Sequence, residues 1–434
     1  MRLRRLIATG VALSGFVVTG AASSAAPKEN LRAQLAAALK AEDPATIRAT
    51  VAAAVRSLGD RAGEPEVADR YTTAPAGARW LTPAEAQSGF APHFERLEKL
   101  VWWRVGLDPT RLTGPLRQPA SILAGGVAAA RAQLDGAERS LALAKDAAVF
   151  LQWAQTQAGA GLFPFPAARA SSSDRAMQVG ADFLARAERA GQLDRVVKNG
   201  WAVDDLGDGG LQFDNAECGV AMFEYYEFTA DRDALASARR AADWAARQLL
   251  VTNWNYNGFS VWLLAKAHAV TGDAAYLAAA KTKALLGVIP GQLTAGPRSG
   301  RWVDPHNARP AYHYIMLRAL AQLVAVLPAN DPDRAAIMRS LQLGLATRNA
   351  EFSSLGIMNR ETAMETLLFV HQAFAAEPGF LAATRSTTAL DILARSVSAD
   401  ALRKNPSLSP RAWGQFLAYA KTRATPPIAP APKP

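Results

Sequence analysis

An acidic, glycine-rich loop over residues 201–215 carries the side chains best suited to acid–base chemistry. Asp205 and Asp208 lie among glycines, whose backbone freedom allows tight turns that present carboxylates instead of pairing them within a helix. Glu217 follows in the first turn of the helical pattern that begins near Asn215. Two such carboxyl groups, facing each other across a substrate oxygen, can act as general acid and general base. Asp residues beside Gly are also common as solvated turn and N-cap residues, so that plainer interpretation stays open.

Glu217 and Glu224 are seven residues apart, so they share one face of this helix. Aromatic residues adjoin Glu224, and a carboxyl group held among aromatic rings has its ionised form disfavoured. Glu217 is nearer the loop and is the predicted proton donor, whereas Glu224 is predicted to be structural. The helix N-terminus lowers the pKa of Glu217, so this prediction requires a desolvated cleft that raises it.

Helical patterns fill most of the chain, and a repeat organises them. Residues 229–238 match residues 271–280 at an offset of 42 residues, and each copy is a short turn with Asp231 or Asp273 as the predicted N-cap. A fixed period near this length indicates stacked helical hairpins, whose apolar faces must be covered by neighbours. Val, Ile and Thr form no alternating strand runs, which argues against a Rossmann-type sheet and predicts an all-α fold.

Polar and aromatic residues gather in the longer loops that precede every second helix, and the intervening turns are short. These loops cover residues 161–166, 201–215, 253–258, 300–310 and 353–360. If the hairpins close into a ring, the long loops share one face and meet at its mouth. The helices that start near residues 215, 257 and 309 are then expected to line the inside.

The first 26 residues have the pattern of a secretory signal peptide. Basic residues precede an apolar run over residues 6–18, and small residues follow as far as Ala26. This apolar run is too short for a comfortable membrane span. The pattern predicts a periplasmic or secreted protein with no stable membrane insertion after the signal is removed.

Charge and composition narrow the remaining possibilities. The formal net charge is +10, and removal of the three signal-peptide arginines leaves +7, scattered without the Lys/Arg runs of a nucleic-acid groove. The single cysteine, Cys218, lies in a helical pattern and is predicted to be a buried core residue. Residues 27–118 are predicted to form an N-terminal helical extension, residues 119–424 the repeat domain, and residues 425–434 an extended Pro-rich tail.

The DGGLQFDN segment at 208–215, the helix after it and the 42-residue repeat resemble the six-hairpin glycosidase superfamily. The resemblance covers roughly residues 119–420 and includes the related polysaccharide lyases. It implies an (α/α)6 toroid that holds sugars in the loops at one end of the ring, with paired acids and aromatic platforms. A carbohydrate substrate is therefore expected by analogy of fold.

A second polar cluster surrounds the start of the helix near residue 309. Arg309, Tyr312 and His313 suit a grip on sugar hydroxyls or on a uronate carboxylate, and His306 precedes them in the loop. No HxxxH or HxxE spacing occurs, so neither a metal site nor another cofactor is predicted.

Aromatic loop residues can stack on the apolar face of a pyranose while amides and acids bind its hydroxyls. The predicted sugar-binding residues with these properties are Asp214, Trp254, Asn255, Tyr256, Asn257, Trp302, Asn307 and Trp413. Several such residues in converging loops would form a concave site.

Three functions remain open on the sequence. Hydrolysis of a glycosidic bond would use Glu217 as acid, with Asp205 or Asp208 activating water or stabilising the transition state. β-Elimination on a uronic-acid polymer would use Arg309 to offset the carboxylate charge, with Tyr312 or His313 as the base. A non-catalytic envelope protein that binds glycans would need none of these acids for affinity.

Overall fold

The computed structural model of the chain describes residues 25–66, 71–92, 103, 105–169, 172–356, 360–403 and 408–423. The predicted signal peptide lies outside the described residues except for Ala25 and Ala26, and the predicted tail over 425–434 lies wholly outside them. Within the described part of the chain, no helix is both long and apolar enough to cross a membrane.

Helices make up nearly all of the regular structure. They are α1 (Ala25–Ala41), α2 (Pro44–Leu58), α3 (Pro83–Ser88), α4 (Arg117–Arg131), α5 (Ala137–Ala158), α6 (Arg175–Arg189), α7 (Leu193–Val196), α8 (Leu211–Thr229), α9 (Arg232–Arg247), α10 (Trp254–Thr271), α11 (Ala274–Gly287), α12 (Pro310–Val326), α13 (Arg334–Ser354), α14 (Arg360–Ala373), α15 (Pro378–Ala383), α16 (Ser386–Leu402) and α17 (Pro410–Thr422). Three two-residue strands, β1 (Phe165–Pro166), β2 (Val197–Lys198) and β3 (Trp201–Ala202), pair antiparallel in the order β1-β3-β2.

Among the described helices, six form a closed inner ring. They pack in the order α4, α8, α10, α12, α14 and α17, and α17 packs back against α4. Outer helices α5, α9, α11, α13 and α16 each cover the inner helix of their own hairpin. The predicted (α/α)6 toroid of the all-α class is therefore confirmed by the order of helix contacts. The inner helices begin at residues 211, 254 and 310, close to the predicted starts.

The repeat is built from equivalent side chains in successive hairpins. Asp231 and Asp273 cap α9 and α11 through their carboxylates, as predicted. Asn215 and Asn257, again 42 residues apart, donate to the carbonyl oxygens of Ala241 at 3.0 Å and Gly287 at 2.7 Å. These amides tie each inner helix to the outer helix of its hairpin, so Asn257 has a structural role where a sugar contact was predicted.

The ring closes where the two ends of the toroid meet. A Cβ on Gly125 would lie 2.4 Å from the carbonyl oxygen of Pro410, so α4 and α17 approach this closely only because glycine stands there. The N-terminal helix α3 covers α17 and supplies the sixth outer position. Trp413 is buried at this closure and donates its indole N–H to Gly89 at 3.2 Å. Its predicted role as a sugar platform is therefore wrong, because neither face of its indole is exposed.

The N-terminal extension also packs over the loop that leads to α12. Helix α2 packs on the short turn at residues 289–291, and Arg298 donates to the carbonyl oxygen of Asp60. Farther along, the amide of Glu66 donates to the carbonyl oxygen of Pro305 at 3.0 Å. The extension therefore forms part of the ring's mouth, a role that its sequence did not reveal.

Candidate active site

The acidic loop folds back onto the N-terminus of α8. The carboxylate of Asp205 accepts hydrogen bonds from the amides of Gly207 at 3.1 Å and Leu211 at 3.0 Å. Gly209 has a φ of +86°, a left-handed conformation that glycine adopts without strain. Asp205 therefore holds the loop in shape, and this shape positions Asp208 at the mouth of the ring.

A polar cleft of about 340 Å³ opens where three of the long loops meet. The loops at residues 207–208, 252–253 and 304–307 each contribute to its walls, so this convergence was correctly predicted. The cleft is lined by side chains with charged, amide, imidazole or phenol groups: Arg32, Arg186, Asp208, Asn253, Tyr256, Asp304, His306 and Asn307. Arg32 comes from α1 and Arg186 from α6, so elements outside the toroid complete the wall.

A smaller chamber of about 80 Å³ adjoins the cleft. Its wall is largely apolar and comes from β1, α6, β3 and the start of α8, through Phe165, Val179, Phe183, Leu184, Ala202 and Leu211. The carboxyl groups of Asp204, Asp205 and Asp214 also line it. Asp208 and Arg186 line both the chamber and the cleft, so they mark the boundary between the two spaces.

The pKa values of Asp208 and Asp205 are both raised. Burial raises the pKa of Asp208, and the nearby Asp205 carboxylate adds to the rise. The side chain of Asp208 is still reached by solvent, as expected for a group inside an open cleft. Burial also raises the pKa of Asp205, against the hydrogen bonds from backbone amides.

Asp214 is the most buried carboxyl group of the site, with 1% of its surface exposed. Its Oδ2 accepts from Arg117 at 2.9 Å, whereas its Oδ1 has no hydrogen-bond partner among the described residues. Burial raises the pKa of Asp214, outweighing the opposing effect of Arg117. Buried oxygens in proteins normally have hydrogen-bond partners, so this one marks Asp214 as a candidate for a functional role.

Glu217, the predicted proton donor, lies in an ionic network inside the ring. It pairs with Arg318 at 3.0 Å and with Arg411 at 3.7 Å. Arg411 also pairs with Glu224 at 3.2 Å, and Arg318 pairs with Glu365. Both arginines stack on the ring of Trp262, at 3.4 Å and 5.3 Å. Glu217 lines neither the cleft nor the chamber, so its surroundings are those of a structural ion pair; Glu224 has the structural contacts predicted for it.

His306 lies in the cleft wall, where the N-terminal extension contacts the toroid. Its Nδ1 is 3.6 Å from a carboxylate oxygen of Glu66, and its ring stacks on Tyr312 with centroids 4.4 Å apart. Burial lowers the pKa of His306, although Asp304 and Glu66 oppose the shift. The neutral imidazole that results can donate or accept a hydrogen bond toward the cleft.

The other residues of the second cluster lie behind the cleft wall. Arg309 lies over the ring of Tyr312 at 5.7 Å, and neither of them lines the cleft. His313 is fully buried against Trp302, and neither of its ring nitrogens has a hydrogen-bond partner. Burial holds the pKa of His313 well below its usual value. The predicted direct grip on a sugar by Arg309, Tyr312 and His313 is not seen.

Two predicted aromatic platforms are also buried. Trp302 is 0% exposed and donates to the carbonyl oxygen of Val288 at 2.8 Å, and Trp254 is 1% exposed against Gly291. Stacking on a sugar by either tryptophan is therefore wrong, because their faces are covered by the protein. Tyr256 does line the cleft, and Asn307 does too. Asn255 is buried, and its backbone amide donates to the side chain of Asn307 at 3.2 Å.

Sequence reasoning missed the residues that reach the site from distant elements. Arg117 and Arg186 lie in ordinary helical patterns, and Arg32 lies in a segment predicted to be a mere extension. Phe165 belongs to the Phe-Pro-Phe-Pro segment, which had no predicted role and which pairs with β3 in the chamber wall. The only signal at this segment was its unusual density of Phe and Pro between two helices.

Among known proteins, no family model and no curated protein matches the sequence. Among solved structures, a polysaccharide lyase is similar with a TM-score of 0.49 and 14% identity, over 78% of this chain and 96% of that one. A glycosyl hydrolase of family 88 from Bacteroides vulgatus is similar with a TM-score of 0.48 and 13% identity, over 79% of this chain and 98% of that one. Such values concern the arrangement of helices, so the function is argued from the site itself.

Proposed function

We propose that the protein is a carbohydrate-active enzyme that hydrolyses a glycosidic bond. One observation carries the proposal. Two carboxyl groups with raised pKa values, Asp208 and Asp214, line connected spaces at the mouth of the ring. Glycoside hydrolysis needs one carboxyl group that is protonated and a second that is ionised, on either side of the bond.

The surroundings assign a role to each carboxyl group. Asp214 is almost fully buried, and burial raises its pKa, so we assign it as the general acid that protonates the leaving oxygen. Asp208 is reached by solvent, so we assign it as the base that takes a proton from the attacking water. The C–O bond breaks, the proton of Asp214 goes to the leaving alcohol, and the water hydroxyl goes to the anomeric carbon. Asp205 is a positioning residue, because its carboxylate is used by the loop backbone.

The cleft chemistry favours a sugar as the ligand. Amide, tyrosine and imidazole groups line one concave space, through Asn253, Tyr256, His306 and Asn307. The side-chain Oδ1 of Asn253 and Nδ2 of Asn307 are buried without a hydrogen-bond partner. A ligand rich in hydroxyl groups satisfies both donors and acceptors of this kind.

A lyase is the second candidate, and the arginines of the cleft favour it. Arg32 and Arg186 share the cleft with Tyr256 and His306. Guanidinium groups can hold a uronate carboxylate while a tyrosine or histidine removes the neighbouring proton. In this case the elimination needs neither Asp208 nor Asp214 as its acid.

The products of the reaction decide between these candidates. The full chain is incubated with a panel of neutral and uronic-acid oligosaccharides, and both reducing ends and ultraviolet absorbance are followed. Hydrolysis is expected to produce reducing ends with no absorbance, because water adds across the bond. Absorbance of an unsaturated sugar would replace the hydrolase proposal by the lyase. Binding of an oligosaccharide without either signal would identify a non-catalytic binder.

We also propose that the protein is exported, because residues 2–26 have the charge, length and small-residue ending of a signal peptide. The expected result is an N-terminus between Ala22 and Glu29 in protein recovered from the periplasm or medium. Intact-mass spectrometry measures this directly. Protein that retains Met1 and remains in the cytoplasmic fraction would contradict the proposal.

A further inference from the structure

We infer that the apolar chamber beside the cleft is a subsite for a small apolar aglycone, of the size of a short alkyl chain or one aromatic ring. The inference rests on the proposed hydrolysis and specifies its substrate class. The substrate is then a sugar joined to an apolar alcohol or phenol, and both of its halves are bound at this mouth of the ring.

The two spaces differ in chemistry but share a boundary. The cleft presents amides, charges and hydroxyls. Most of the chamber surface is apolar and comes from Phe165, Val179, Phe183, Leu184, Ala202 and Leu211, beside the carboxyl groups of Asp204, Asp205 and Asp214. Asp208 and Arg186 line both spaces. A ligand that spans this boundary changes from polar to apolar at the position of Asp208, where the reacting bond is proposed to lie.

Asp214 gives an independent indication of what enters the chamber. Its Oδ1 faces no protein partner although the residue is 1% exposed and lines the chamber wall. An oxygen left in this state costs free energy, which a ligand with one hydroxyl group would recover. The released alcohol or phenol has one such hydroxyl on an otherwise apolar body. A second sugar would place part of its hydroxyl-bearing surface against the apolar side chains of the wall, which offer no hydrogen bonds.

The size of the chamber limits the occupant. The volume of the chamber is about 80 Å³, whereas that of the cleft is about 340 Å³. The walls are also held in place: the β1–β3 pairing fixes Phe165 and Ala202, and the face of α6 packs directly on the ring of Phe165. A Cβ on Gly180 would lie 2.5 Å from that ring. The chamber therefore accepts a single ring or short chain without rearrangement.

Binding of a free aglycone tests the inference without requiring turnover. The full chain is titrated with para-fluorophenol and followed by fluorine NMR. Val179→Phe fills the chamber from α6 and is expected to weaken this binding by about tenfold or more. Asp182→Phe places the same ring on the exposed side of α6 and is the matched control, with unchanged affinity expected.

A second variant covers the possibility that the filled chamber does not fold. Phe183 is half-buried, and Phe183→Ala enlarges the chamber without crowding it. This variant is expected to raise the affinity for β-naphthol relative to para-fluorophenol by about tenfold. No binding of para-fluorophenol by the wild type, or equal binding by the wild type and Val179→Phe, would overturn the inference.

The activity measurements separate this inference from the proposed function. If aryl glycosides are hydrolysed but Val179→Phe leaves the ratio of kcat/KM for phenyl and methyl glycosides unchanged, the chamber assignment fails and the hydrolase stands. If no glycoside is hydrolysed but para-fluorophenol binds in the stated pattern, the chamber assignment stands and the hydrolase fails.

Discussion

The Asp214→Asn substitution is expected to lower kcat/KM for a glycoside by about 10²–10⁴-fold, because it removes the proton that the leaving oxygen needs. Asn keeps the shape of the side chain and can still accept a hydrogen bond from Arg117, so the fold should be preserved. Asp208→Asn is expected to cause a loss of similar size, since it removes the base. Steady-state kinetics on the best substrate of the panel measure both losses.

Two further variants serve as controls for these losses. Asp233→Asn changes an exposed carboxylate in the first turn of α9 and should leave kcat/KM unchanged. Glu217→Gln tests the assignment that the sequence favoured. If Glu217→Gln abolishes turnover in a protein of normal stability while Asp208→Asn and Asp214→Asn remain active, Glu217 is the acid and the assignment made from the structure is wrong.

The raised pKa values give these variants a pH signature. Activity requires Asp208 ionised and Asp214 protonated, so it should rise and then fall as pH increases. A carboxyl group whose pKa is higher in the folded protein than in the unfolded chain keeps its proton longer when folded. The free energy of unfolding therefore falls as pH rises through the raised pKa. Asp208→Asn removes this titration and should lose less stability than the wild type as the pH rises from the ordinary pKa of an aspartate to the raised pKa of Asp208, as measured by denaturant unfolding.

The parts of the fold that were predictable follow from local patterns. The turns capped by Asp231 and Asp273 repeat every 42 residues, and one hairpin predicts the next. The alternation of long and short loops follows from the same repeat. A long loop at the mouth leads into each inner helix, and a short turn at the other end leads into each outer helix. Closure of the ring, by contrast, depends on contacts between Gly125 and Pro410, which lie far apart in the chain.

The chemistry of the site was less predictable because it depends on such distant contacts. Glu217 was correctly placed on an inward-facing helix, but its partner Arg318 lies 101 residues away. Nothing in the local sequence shows whether that carboxylate meets a substrate or an arginine. Trp302 likewise precedes a helix in a polar loop, and it is buried against the ring of His313 while bonding to the carbonyl oxygen of Val288. Asp208 does line the cleft, and its glycine neighbours are a local signal of a loop that presents its side chains.

The largest effect on stability is expected at Arg318, the centre of the ionic network inside the ring. Arg318 is 4% exposed and pairs with Glu217 and Glu365 from two other inner helices. The Arg318→Met substitution leaves the carboxylates of Glu217 and Glu365 buried. Of the two arginines in this network, only Arg411 then remains near them. Removal of one partner from a buried ion pair costs about 3–5 kcal/mol, because an uncompensated charge remains. Denaturant unfolding followed by circular dichroism should show this loss in the free energy of unfolding.

A surface pair provides the contrast that identifies burial as the cause. Arg169 and Glu188 are 2.8 Å apart with about half of each side chain exposed, so Arg169→Met should cost at most about 1 kcal/mol. Burial already raises the pKa of Glu365, and loss of Arg318 raises it further, since the arginine charge lowers it. The deficit of Arg318→Met should therefore shrink as pH falls and the carboxyl groups take up protons. An equal deficit at low and neutral pH would mean that lost packing of Arg318 on Trp262, and not stranded charge, accounts for the instability.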